Sequence, residues 1–91
     1  MMSEETRKSI LLVEDDDNIR KQMKWALAKE YEVFMAGDRA SALQLCQEHV
    51  PGVMTLDLGL PPDPNGSSEG LRTLQEVLQY NPKIKVIIIT G

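Results

Sequence analysis

The chain has 91 residues, 42% of them hydrophobic and 26% charged, which is enough for one compact domain and too short for two. Ten basic against fourteen acidic residues give a formal net charge of -4, the wrong sign for a surface that binds nucleic-acid phosphates. No apolar run is long enough to span a bilayer, and the polar start lacks the apolar centre of a secretion signal. A single cysteine, Cys46, excludes an internal disulfide. We therefore expect one cytoplasmic domain without direct contact to nucleic acid or membrane.

The first predicted elements are a short strand and an amphipathic helix. Residues 10–13 form a continuous apolar run of strand length, which favours a parallel strand covered on both faces. From Ile19 the apolar residues recur at helical spacing, and this helix is expected to run to about Lys29. Asp16 or Asp17 is available as its N-cap. The pattern therefore changes from strand to helix within a few residues.

The middle of the chain repeats this alternation. A second strand is predicted over 31–36, and Gly37-Asp38 then supplies a turn and an N-cap for a second helix. The third strand, 53–56, enters a stretch rich in glycine and proline over 57–68. That stretch is long for a strand-to-helix connection, where about 2 to 6 residues are usual. Such long loops often carry function.

The last predicted elements are a helix whose apolar face begins at Leu71 and a β-branched strand over 84–89, separated by Asn81-Pro82. The resulting order is β-α-β-α-β-α-β. Because each crossover between strands is right-handed, neighbouring strands are expected to be parallel. The sequence thus predicts an α/β fold with a doubly wound parallel sheet, and in the flavodoxin-like version of this fold the four strands have the order 2-1-3-4.

Acidic or hydroxyl side chains follow three of the four predicted strands. Glu14 and Asp15 follow the first strand, Asp57 the third and Thr90 the fourth. In a flavodoxin-like order the first and third strands are neighbours, so their three carboxylates are expected to converge. Like charges about 4 Å apart near a protein surface cost on the order of 4 kcal/mol per pair, and a hard cation removes this cost.

Mg²⁺ suits such a site because it takes oxygen ligands and accepts a phosphoryl oxygen. A carboxylate beside it can attack phosphorus, and Thr90 can donate a hydrogen bond to the transferred group. Taken singly, the acids have simpler explanations, with Asp16 and Asp17 as helix caps and Asp57 as a turn residue. It is the conjunction of the acids at the strand ends that indicates phosphoryl chemistry.

Three further residues are interpreted as structural. Cys46 lies at helical spacing with apolar neighbours and is expected to be a small buried side chain. His49, near the end of the second helix, is expected to be solvated and to complement the negative helix end. Trp25 lies off the apolar face of the first helix and is expected to be partly buried at its edge.

Segments 10–16, 55–61 and 86–91 together resemble the receiver domain of two-component response regulators. The first is similar to the family's apolar strand followed by an acidic pair, the second to its phosphoacceptor segment and the third to its switch-threonine strand. The resemblance covers 9–91, after an N-terminal tail of residues 1–8. It implies a CheY-like fold and a role in signal transduction through a phosphorelay.

The resemblance also implies a role for each matched site residue. Asp57 would be the phosphorylated aspartate, Asp15 a direct Mg²⁺ ligand and Glu14 an acid that acts on the metal through water. The backbone carbonyl of Gly59 would complete the metal site, and the hydroxyl of Thr90 would move toward the phosphoryl group. The implied donor is a sensor histidine kinase, and the implied target is an output domain in the same protein, not a substrate of a turnover enzyme.

Two features depart from the commoner family pattern. The extended loop 59–70 is similar to regulators of the PEP-CTERM exopolysaccharide and protein-sorting systems, whose longer members resemble AAA+ sigma-54-dependent activators with a DNA-binding domain. The family's next helix, its fifth strand with a lysine and its last helix are absent before Gly91. We therefore expect an incomplete receiver domain whose fourth strand, with Ile87 and Ile89, is an exposed edge that promotes self-association.

Two other functions fit part of the pattern. A Mg²⁺-dependent phosphoryl or phosphodiester enzyme is one, because a Glu after the first strand and an Asp after the third also occur in Toprim-like enzymes. The segment Asp57-Leu58-Gly59 lacks the second Asp of that class and the paired acids of haloacid-dehalogenase-like phosphatases. The other is a receiver-like interaction module that is never phosphorylated, which the presence of both Asp15 and Asp57 disfavours.

Overall fold

Seven alternating elements make up the part of the chain that the computed structural model describes, residues 8–63 and 66–89. The tail residues 1–7 and Thr90 lie outside these described residues. The order β-α-β-α-β-α-β is the predicted one. The elements are β1 (Lys8–Val13), α1 (Asp17–Leu27), β2 (Tyr31–Ala36), α2 (Arg39–His49), β3 (Val53–Asp57), α3 (Ser68–Tyr80) and β4 (Lys85–Ile89).

The four strands form one parallel sheet in the order β2-β1-β3-β4, which confirms the predicted doubly wound topology. β1 is central, and its Val13 lies opposite Ala36 of β2 and Leu56 of β3. The carboxyl ends of β1 and β3 therefore lie side by side. Whatever residues follow Val13 and Leu56 are brought together at that edge of the sheet.

Most of the core lies on the face of the sheet that α2 and α3 cover. Alternate residues of β1 and β3 point to this face and are buried against Ala42 and Cys46 of α2 and Val77 of α3. Cys46 has no exposed surface and a free thiol, as expected, and burial raises its pKa. The sheet residues in this cluster are Leu11, Val13, Ala36, Met54 and Leu56.

Within the part of the chain that the structure describes, α1 covers the opposite face of β1 and β2, and none of its residues is buried. The interpretation of Trp25 as partly buried is wrong, because 83% of its surface is exposed. Trp25 is two residues from the half-buried Met23, which places the two side chains about 200° apart around the helix. Ile19, counted on the apolar face, is also 47% exposed.

Side-chain caps fix the start of the first two helices. Asp16 accepts hydrogen bonds from the amides of Asn18 at 2.9 Å and Ile19 at 3.1 Å, so the N-cap of α1 is Asp16 and not Asp17. Asp38 accepts from the Ser41 amide at 2.8 Å, and this bond lowers the pKa of Asp38. Both caps satisfy amides that a helix leaves without partners.

The structure differs from the sequence prediction mainly in the limits of the elements. β1 begins at Lys8, two residues before the predicted start and one residue inside the predicted tail, and α3 begins at Ser68 instead of Leu71. His49 ends α2 and is exposed as expected, but its ring also stacks on Phe34 with centroids 4.1 Å apart. No helix within the described segments is both long and apolar enough to cross a membrane.

β4 carries three large exposed apolar residues. Ile87 is 54%, Ile88 44% and Ile89 37% exposed, which confirms the predicted exposure of Ile87 and Ile89. Within residues 8–63 and 66–89, β3 is the one strand that pairs with β4, so the outer backbone groups of β4 have no strand partner there. An apolar edge of this kind is a template for pairing with another chain.

The 91-residue chain is expected to self-associate through β4. Replacing Ile87 by lysine should shift the chain toward the monomer, because a charge on an edge strand opposes pairing, and the stability cost should be small at so exposed a position. Size-exclusion chromatography with light scattering measures the mass. Trp25→Lys is the matched control, because it introduces the same charge at another exposed apolar residue, on α1 and away from the edge strand. An equal shift in both variants would contradict a role for the edge.

Candidate metal centre

Three carboxylates meet at the carboxyl edge of the sheet. Glu14, Asp15 and Asp57 each offer one oxygen, and these oxygens lie within 4.8 Å of one another. The strand register explains the meeting, because Glu14 and Asp57 are the residues that follow the paired Val13 and Leu56. The predicted convergence of the three acids is therefore found in the structure.

Glu14 is the most buried of the three acids, with 6% of its surface exposed. Burial is the main reason that the pKa of Glu14 rises from 4.5 to about 7, and the nearby charges of Asp57 and Asp15 raise it further. The amide of Asp16 donates to Glu14 Oε1 at 3.1 Å and works in the opposite direction. The site thus holds more negative charge than its surroundings stabilise.

Asp57 is half-buried and stands at the end of β3. The amide of Gly59 donates to Asp57 Oδ1 at 3.0 Å, a turn that fixes one carboxylate oxygen and leaves the other for chemistry. Leu58 and Gly59 are half-buried as well. The backbone just after the strand therefore contacts the site through the Gly59 amide, and the role of the Gly59 carbonyl as a metal ligand stays a prediction.

Arg20 is a site residue that the sequence reasoning missed. Its Nη1 donates to the backbone oxygen of Glu14 at 2.7 Å, and its Nη2 pairs with Asp17. A Cβ at Gly37 would stand 2.8 Å from Arg20 Nη1, so glycine leaves room for the guanidinium. Arg20 thereby holds the turn between β1 and α1. The sequence feature that could have indicated this role is an arginine one turn into the predicted helix, which follows a run of acidic residues.

The other predicted residues fall outside the carboxylate group. Asp16 caps α1 as predicted, whereas Asp17, also predicted as a cap, pairs with Arg20 in the first turn instead. Thr90 lies beyond the described residues. The metal-site prediction therefore concerns Glu14, Asp15, Asp57 and the backbone of Gly59.

The donor set fits Mg²⁺. All three side chains offer oxygen, the ligand that hard cations prefer, and they include no sulfur or imidazole. Three carboxylates this close repel one another, and this repulsion adds to burial, the larger cause, in raising the pKa of Glu14. Asp15 is exposed and Asp57 half-buried, so both can be reached from solvent.

A family model described as the response regulator receiver domain matches residues 10–91. The chain belongs to this family. The receiver domain is a signalling module and not a class of turnover enzymes, which disfavours the alternative of a Mg²⁺-dependent enzyme. The match also includes the strand ends that carry Glu14, Asp15 and Asp57.

Individual relatives agree with this assignment. Regulatory protein AtoC of Escherichia coli is 29% identical over 83 residues, 90% of this chain but 17% of its own length. The response regulator receiver protein CpdR of Brucella abortus is 31% identical over 85 residues, 92% of this chain and 67% of its own. This chain thus spans a small part of the length of AtoC and about two thirds of the length of CpdR.

A solved structure confirms the fold. The crystal structure of a CheY-like response regulator receiver domain protein from Methanospirillum hungatei is 29% identical and superposes with a TM-score of 0.85. The match covers 94% of this chain and 66% of that one. The expected CheY-like architecture with strand order 2-1-3-4 is therefore established.

In the absence of divalent cations, the free energy of unfolding should fall as the pH rises from about 4.5 to about 7. The sign follows because the folded state binds the Glu14 proton more tightly than the unfolded chain. The contribution is full below the unfolded pKa and is lost as the pH passes the folded pKa. Urea unfolding at several pH values measures this slope.

The slope should be smaller in Glu14→Gln, which cannot titrate, and unchanged in Glu32→Gln, an exposed acid on β2. Mg²⁺ affinity should rise over the same pH range, because the ion competes with the proton on Glu14. Equal slopes in the wild type and Glu14→Gln would show that Glu14 does not titrate in this range.

Proposed function

We propose that this receiver domain accepts a phosphoryl group on Asp57 from a sensor histidine kinase and thereby controls an output domain. The observation that carries the proposal is the meeting of Asp57 with Glu14 and Asp15 within 4.8 Å at the carboxyl edge of the sheet. A single carboxylate at a strand end is common, whereas three converging ones repel one another, and a bound cation reduces this repulsion.

The proposed step is a displacement at phosphorus. A carboxylate oxygen of Asp57 forms a bond to the phosphorus while the bond between phosphorus and the kinase histidine nitrogen breaks. The products are an acyl phosphate on Asp57 and a free imidazole. Mg²⁺, when bound, neutralises charge on the phosphoryl oxygens during the transfer. Gly59, whose amide holds Asp57 Oδ1 at 3.0 Å, keeps the carboxylate oriented.

The proposed roles of the other residues follow the family pattern. Asp15, exposed at the rim, is the direct metal ligand, and the buried Glu14 acts through water. The carbonyl of Gly59 is the backbone ligand. Thr90 is proposed as the hydroxyl that contacts the bound phosphoryl group. These assignments make Asp57 both the nucleophile and a metal ligand, and Asp15 and Glu14 the two other metal-binding acids.

The proposed setting is a cytoplasmic two-component system, compatible with the buried free thiol of Cys46. The chain is proposed to accept and slowly lose a phosphoryl group without turning over a substrate. The output is proposed to be transcription regulation by a sigma-54-dependent AAA+ activator with its own DNA-binding domain. The resemblance of the loop of residues 59–70 to sigma-54-dependent regulators supports this output, and the similarity to Regulatory protein AtoC supports a regulatory role.

Incubation with acetyl phosphate and Mg²⁺ should add one phosphoryl group to the chain, detected by intact mass. The adduct should be absent in Asp57→Asn, absent when the metal is chelated, and removed by hydroxylamine, as expected for an acyl phosphate. Asp63→Asn is the matched control, because Asp63 is the next acid along the chain and its Oδ2 accepts a hydrogen bond from Ser68. Labelling that persists in Asp57→Asn would refute Asp57 as the acceptor.

Mg²⁺ binding should separate the roles of the two acids after β1. Asp15→Ala should abolish measurable binding, whereas Glu14→Ala should weaken it by about tenfold, because a residue acting through water supports a ligand and is not one itself. Isothermal calorimetry measures both. Glu30→Ala removes an exposed acid near the opposite edge of the sheet and should bind like the wild type. The reverse order of losses would exchange the two assignments.

A further inference from the structure

The start of α3 rests directly on the backbone that follows Asp57. Gly70, the third residue of α3, is buried. A Cβ at this position would lie 2.7 Å from the carbonyl carbon of Leu58 and closer still to its Cα and oxygen. Backbone atoms cannot swing aside as a side chain can. Any residue larger than glycine at position 70 must therefore push Leu58 or the helix away.

The helical backbone conformation does not require glycine at position 70. Glycine is a poor helix residue compared with alanine because it loses more conformational freedom on folding. No glycine in the described segments, Gly70 included, has the positive φ that would require it. The close approach to Leu58 is therefore the reason in this structure for a glycine at position 70.

Leu58 connects two parts of the carboxylate site. It lies between Asp57 and Gly59, whose amide donates to Asp57 Oδ1 at 3.0 Å. A displacement of the Leu58 backbone would move the Gly59 amide away from the carboxylate. It would move the Gly59 carbonyl by a similar amount. The contact at Gly70 thus fixes the backbone on which both groups depend.

An ion pair ties this part of α3 to the neighbouring helix. Arg39, the first residue of α2, places its Nε 3.2 Å from Glu69 Oε2 and its Nη1 2.8 Å from Glu76 Oε1. These two acids raise the pKa of Arg39. Glu69 directly precedes Gly70, so the pair acts at the turn that touches Leu58. Arg72 also pairs with Glu76, at 3.3 Å, but within α3.

We propose that Gly70 is a positioning residue for the phosphoacceptor site, and that the Arg39–Glu69 ion pair holds it against Leu58. The contact keeps the Gly59 amide on the carboxylate of Asp57 and the Gly59 carbonyl at the metal position. The metal part of this inference rests on the proposed function. The positioning of the amide does not.

Two alanine variants test the contact. Gly70→Ala should increase the hydrogen-exchange rate of the Gly59 amide, measured by NMR, on the order of tenfold, because its hydrogen bond is lost. It should weaken Mg²⁺ binding by about tenfold or more. Gly52→Ala is the matched control, because a Cβ there meets no atom within 4 Å. It should leave both quantities unchanged.

A second pair of variants tests the ion pair and covers the case in which Gly70→Ala does not fold. Arg39→Gln removes the link between the helices and should raise the Gly59 exchange rate, by less than Gly70→Ala does. Arg72→Gln removes a pair internal to α3 and should not change it. If Arg39→Gln and Arg72→Gln had the same Gly59 exchange rate, the role of the ion pair would be refuted.

The two measurements separate this inference from the proposed function. A wild type that binds no Mg²⁺ and takes no phosphoryl group would overturn the proposed function, while the Gly59 exchange rates would still decide whether Gly70 positions the amide. A folded Gly70→Ala protein with wild-type exchange at Gly59 would overturn the inference, whatever the metal result.

Discussion

The structure of the site depends on the register between β1 and β3. Because Val13 is paired with Leu56, the next residues along these strands are acids, and their carboxylate oxygens meet at one edge of the sheet. Burial and, to a smaller degree, the charges of the two neighbouring carboxylates raise the pKa of Glu14. A shift of one residue in the register would turn one of these acids to the other face of the sheet and separate the group.

The surrounding structure holds this unfavourable arrangement from several directions. Arg20 binds the carbonyl of Glu14, Asp16 caps the helix that begins beside it, and Gly70 brings α3 onto the segment after Asp57. Each contact acts on the backbone and leaves the carboxylates free. The fold thus supplies the rigidity of the site, and under the proposed function a bound cation offsets the negative charge of the three carboxylates.

The sequence predicted the elements well because the evidence for them was local, whereas the strand order came from the resemblance to a known fold. Continuous apolar runs, helical spacing and the acids at strand ends all lie within a few neighbouring residues. Trp25 was misjudged because burial depends on how far the sheet extends under α1, which periodicity does not report. Arg39 and Gly70 were missed for a related reason, since their partners Glu69 and Leu58 lie 30 and 12 positions away. A glycine that costs a helix about 1 kcal/mol relative to alanine is a signal that could have been noticed.

The absence of buried residues in α1 has a consequence for the dynamics of the domain. A helix attached by its caps, by Arg20 and by half-buried side chains opens at a lower free energy than the sheet beneath it, so α1 is expected to be the least stable unit of the described fold. Asp15 lies just before this helix. A cation bound through Asp15 would therefore favour the state in which α1 is packed on the sheet. By mass action it would reduce the fraction of molecules in which the helix is detached.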